Sequence, residues 1–185
     1  MLSTFIAIAL AAAAPPLENG SNTQRGLEGA LRGCEEWILR PASWAKGPKP
    51  FIAAVGLGPK MDLVERVDDI NLPPPALRVA NHYWRINSTE GAGFVLVVSD
   101  RLPMCHITGG GNVDMQPVVS SLLSSDAFRR RWTATEDTVA GDLATTRFRN
   151  VEEPKFSLTP SRARRAGESL DRVQVLATAA YSTDK

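Results

Sequence analysis

Residues 103 to 108 read Pro-Met-Cys-His-Ile-Thr, which puts a thioether, a thiol and an imidazole side by side. Such soft donors suit copper, and His82 on an earlier strand adds a second imidazole. In an extended segment neighbouring side chains project to opposite faces, so Met104 and His106 share a side that Cys105 does not. His82, Met104 and His106 therefore form one candidate metal set, whose competitor is the ordinary role of Met and Cys as buried packing residues. The same stretch admits a thiol nucleophile at Cys105. Its base would be His82, because His106 is an immediate neighbour pointing the other way. No thiol-hydrolase signature accompanies it.

A second constellation is cationic. Arg147 and Arg149 lie two residues apart on one candidate strand, and Tyr83 and Arg85 two apart on another. Each pair projects to one side. If the sides coincide and the strands are near neighbours, three guanidinium groups and a phenol face a single carboxylate or phosphate. A small anionic ligand is then the expected partner, with a protein partner as the alternative. The competing reading is a solvated face whose arginines pair with Asp142, Glu152 or Glu153 and gain little from it. Gly109-Gly110-Gly111 ahead of a helix suggests an anion cradle. Neither phosphate-loop nor dinucleotide glycine spacing is present, however, and a tight strand-to-helix turn is the simpler reading. Arg129-Arg130-Arg131 and Arg162-Ala163-Arg164-Arg165 read as solvated charge, the latter at a hairpin tip. No cofactor fingerprint is readable, and no cofactor is expected.

The elements that must position these groups follow from periodicity. Leu27, Ala30, Leu31, Cys34 and Ile38 recur at helical spacing, with Asn22 or Thr23 as cap and Pro41 as the stop. Residues 41 to 79, interrupted by Pro41, Pro48, Pro50, Pro59 and Pro73-Pro74-Pro75, predict an ordered but irregular crossing that covers an edge or mouth of the domain. Strand alternation begins near Val79, with His82, Trp84 and Ile86 opposite in sense to Tyr83, Arg85 and Asn87. An apolar run Phe94 to Val98 and a short strand Met104 to Thr108 follow. A helix with Val118, Val119, Leu122 and Leu123 on one side comes next, with a helical turn from Ser125 to Trp132. Three strands at roughly 142–149, 155–161 and 171–181 close the chain. Without regular βαβ alternation the economical architecture is α+β. It is a mainly antiparallel sheet of about six strands, with the N-terminal and mid-chain helices on one face.

The uncharged run of residues 1 to 14, MLSTFIAIALAAAA, has the hydrophobic region and small-residue end of a signal peptide, and it is too short to span a bilayer. Residues 15 to 22 then form a loose lead-in and 23 to 185 a single domain. The expected location is periplasmic or extracellular, without a transmembrane segment in the mature chain. In an oxidising compartment Cys34 and Cys105, the only two cysteines, are expected to pair. A formal net charge of +1 argues against nucleic acid as the partner. Taken together these features predict an exported accessory domain that binds a small ligand or a protein. The alternatives are a small hydrolase-type enzyme using His82 or His106, or a copper-binding protein built on Met104, Cys105 and His106.

Overall fold

The computed structural model describes residues 18–89, 91–168 and 173–183, with side chains from residue 22 onward. The expected signal peptide lies outside the described residues. Helix α1 (Glu18–Leu39) starts earlier than the periodicity predicts, so residues 18–22 of the expected lead-in are helical and Asn22 and Thr23 are interior positions, not caps. The stripe on α1 is formed by Leu27, Ala30, Cys34 and Trp37, all buried. Glycines on the same side let the helix approach the sheet closely: a Cβ at Gly33 would stand 2.6 Å from Leu96 Cδ2. After Pro41–Ser43, a single 3-10 turn, comes α2 (Pro48–Val55), which buries Phe51 and Val55 against α1.

The sheet is antiparallel throughout and has eight strands, not about six. They are β1 (Met61–Val64), β2 (Asn81–Thr89), β3 (Ala92–Ser99), β4 (Met104–Gly111), β5 (Trp132–Ala140), β6 (Leu143–Asn150), β7 (Phe156–Ala163) and β8 (Val173–Tyr181), in the spatial order β1-β2-β3-β4-β8-β7-β6-β5. The two unexpected strands are the two edges. β1 has four residues, too few to show alternation. β5 exposes every residue after Trp132, so it has no apolar side to betray its period. Between β4 and β5 lie α3 (Gln116–Ser124) and α4 (Asp126–Arg129), the latter capped by Ser125 Oγ accepting from the Phe128 amide.

One face of the sheet carries α1, α2 and α3 over Trp84, Ile86, Phe94, Leu96, Val98, Ile107, Phe148, Leu158, Val175 and Ala177, the main core. Cys34 and Cys105 form a disulfide with a Cα separation of 5.5 Å, which pins α1 to β4. Arg131, just beyond α4, pairs with the buried Glu35 of α1, whose carboxyl is pushed above its ordinary range chiefly by burial. The triple glycine belongs to β4 rather than to a turn. Gly109 pairs with Phe94 and Val175, and a Cβ there would stand 2.6 Å from the Phe94 ring, so glycine is required by close approach.

The opposite face is met by the crossing between β1 and β2. Asn71 Oδ1 accepts from Thr108 Oγ1 at 2.6 Å, Ser99 Oγ donates to the Val79 carbonyl, and Pro73 is buried. Val97, Met104 and His106 are buried on this face, outside the main core.

A candidate aromatic pocket with a histidine–aspartate rim

Each imidazole sits on a different face of the sheet. The register His82–Val98–Cys105 turns His82 to the helix side, whereas Val97–His106–Thr178 turns His106 away from it. A common metal site for His82, Met104 and His106 is thereby broken, and Cys105 is bound in the disulfide. Among the described residues no group of three or more His, Cys, Asp or Glu side chains could hold a metal ion. His106 is 1% exposed; its Nδ1 lies 3.0 Å from Thr178 Oγ1 and its Nε2 has no partner. Burial lowers its pKa from 6.5 to about 4, so it is neutral in the folded protein.

The arginines share a face but not a site. Arg85 on β2 and Arg147 and Arg149 on β6 lie five strand steps apart, about 24 Å at the spacing of a sheet. The strands are not neighbours, so no single anion spans them. Arg147 approaches Glu136 of β5 at 3.6 Å with both side chains exposed. Arg85 lines a separate groove of about 330 Å³ beside Asp68, Asn71 and Thr108, and Tyr83 stands in register opposite Val64 and Val97. Arg162, expected in a solvated hairpin tip, is a residue of β7 with a buried, unpartnered Nη1.

Polar and aromatic groups converge elsewhere, where the C-terminal end of α1 meets the start of β2. Trp37 lies on the buried stripe of α1. Pro41 ends the helix, and the following turn folds Trp44 back on Trp37, with ring centroids 4.2 Å apart and planes within 6° of parallel. Both indole donors are used on backbone: Trp37 Nε1 donates to the Ser99 carbonyl at 3.0 Å and Trp44 Nε1 to the Trp37 carbonyl at 2.9 Å. Since the two indoles stack on each other, what each has left beyond its partner is a single face and its edges. Phe51 of α2 meets Trp37 edge-on at 5.1 Å and Trp84 of β2 at 4.8 Å. With Leu63 and Pro48 these rings line a cavity of about 210 Å³.

His82 and Asp100 complete the lining. His82 Nε2 lies 2.7 Å from Asp100 Oδ2, and the imidazole tilts against Trp37 at 5.4 Å. The β2–β3 register explains the pairing: His82 stands opposite Val98, and the chain continues two residues to Asp100, whose amide donates to the Ala80 carbonyl. Asp100 therefore fixes one ring nitrogen of His82 and with it the orientation of the imidazole. Trp84 Nε1 is buried without an acceptor. No serine, threonine or cysteine side chain lines the cavity.

Of these residues periodicity singled out only His82 as a chemical candidate. The signal for the rest was present but weak: three of the four tryptophans fall at positions 37, 44 and 84, just before the predicted crossing, within it and in the hairpin. No protein-family model, curated protein or solved structure matches this chain.

Proposed function

We propose that the protein is an exported binding domain whose site is the cavity of Trp37, Trp44, Phe51 and Trp84, with His82 and Asp100 as its polar rim. The observation that carries this reading is the convergence of four aromatic rings with an oriented imidazole–carboxylate pair. Ligand sites combine an apolar lining with a few placed polar groups. At about 210 Å³ the cavity is smaller than sites that enclose a whole drug-sized molecule, so it accepts one group of a ligand. Export is consistent with the buried Cys34–Cys105 disulfide and with the apolar N-terminal run. Among the described residues no helix is long and apolar enough to cross a membrane.

The test is a fragment screen by ligand-observed NMR, followed through tryptophan fluorescence. Fragments bound by the native protein should be lost from Trp44→Ala and retained by Arg147→Gln. Fragments insensitive to Trp44 would place binding elsewhere. One observation favours a second reading: the 2.7 Å His82–Asp100 contact is the geometry of an oriented general base, which would serve a hydrolase acting through water. Turnover of ester or peptide substrates that disappears in His82→Gln would establish it, and binding without turnover leaves the binding domain.

A further inference from the structure

The cavity's lining also selects a charge type. Asp100 is the one permanent charge in it, and no lysine or arginine side chain lines it. Indole faces carry negative quadrupole density and attract a cation held within about 6 Å of the ring, most strongly when the cation sheds little water on entering. Trp37 and Trp44 have their N–H groups tied to backbone carbonyls, so neither can turn to offer a ligand a donor in place of its face. An anion would meet Asp100 and ring faces that repel it. A neutral apolar group would fill the space but gain nothing from the 44%-exposed carboxylate, which is paired with His82.

Resting on the binding role above, we infer that the cavity is a receptor for a methylated ammonium group, the head of a small organic cation, held between the aromatic rings with Asp100 as counter-charge. The two halves of the lining then have separate duties. Trp44, folded back by the Pro41 turn, is the wall that can adjust to the ligand, because it is only part-buried, whereas Phe51 and Trp84 are fixed in the core. Asp100 lies at the rim, where a quaternary ammonium can approach the carboxylate without needing to donate a hydrogen bond. His82 holds that carboxylate in place.

The experiment compares choline with 3,3-dimethylbutan-1-ol, its uncharged counterpart of nearly the same shape, by quenching of tryptophan fluorescence, since three of the four tryptophans line the cavity. Choline should bind at least about tenfold more tightly, and Asp100→Asn should remove most of that difference by weakening choline far more than the alcohol. An unchanged melting temperature certifies that this exposed position tolerates the change; Trp44→Phe serves as a second variant that retains a ring and weakens choline less than Trp44→Ala. If the alcohol binds as well as choline, the charge selectivity is overturned while the apolar site survives. If neither quenches and fragments still require Trp44, the cation inference alone is overturned. Phosphatidylcholine vesicles distinguish the source of the ammonium: cosedimentation that choline competes away assigns a lipid head group, and choline binding without cosedimentation assigns a free solute.

Discussion

On one face of the sheet α1 lays Leu27, Ala30, Cys34 and Trp37 against β2, β3 and β4, and a disulfide joins helix to strand. On the other face an irregular crossing meets the sheet through side-chain bonds such as Thr108 to Asn71, over a smaller buried set of Val97, Met104 and His106. The first closure is repetitive: buried apolar residues of different types recur at helical spacing, and each contact reinforces the next. The second depends on individual polar contacts, one of which leaves His106 Nε2 buried and unpartnered. The difference teaches where stability and adaptability lie in this protein. The helix face fixes Phe51 and Trp84, the inner walls of the pocket, and the crossing face buries the imidazole of His106.

The largest effect expected from breaking this comparison is on the helix face. Reducing the disulfide, or replacing both cysteines with serine, frees a loop with a sequence separation of 71 residues and should cost about 4 kcal/mol. That corresponds to a fall in melting temperature of roughly 10 °C for a domain of this size, measured by calorimetry. A loss below about 1 kcal/mol would show that the packing of α1, not the cross-link, holds that face.

A somewhat smaller effect is expected on the crossing face, and it depends on pH. His106 has a folded pKa near 4 against about 6.5 unfolded, so the unfolded chain binds the proton first as pH falls. Its contribution is fully present above pH 6.5 and is lost on descending towards pH 4, on the order of 3 kcal/mol in total. Denaturant titrations across that window should show the loss, and His106→Gln should flatten it. An unaltered slope in the variant would mean that His106 opens to solvent and that the second face is not closed.

The smallest effect sharpens the contrast locally. Thr108→Val deletes the bond to Asn71 and should cost about 1 kcal/mol. Hydrogen exchange should accelerate in residues 65–80 and remain unchanged in α1. Acceleration spread equally over both would indicate that the two closures unfold as one unit.

The legible parts of the fold were those with an apolar period. α1, β2, α3 and β6 to β8 bury mainly one side, and their periodicity marks them in the sequence, while β3, buried on both sides, shows as a continuous apolar run. The edges β1 and β5 escaped, one for shortness and the other because it exposes both sides. The arginine constellation shows the limit most clearly. Period two puts Tyr83 with Arg85, and Arg147 with Arg149, on one side of each strand, but whether the two sides coincide depends on register and the distance between β2 and β6 on strand order, neither of which period alone encodes.

Sequence by itself therefore determined the α+β class, the helical stripe and the pairing of Cys34 with Cys105, because each follows from local spacing or from the count of available partners. Only the tertiary structure decided that β4 lies beside β8, that His82 and His106 part to opposite faces, and that Trp44 folds onto Trp37 beside Asp100. The physical reason is that these relations join segments distant along the chain. Their geometry is set by how whole elements pack and in what register, and no single segment carries that information in its own pattern of residues.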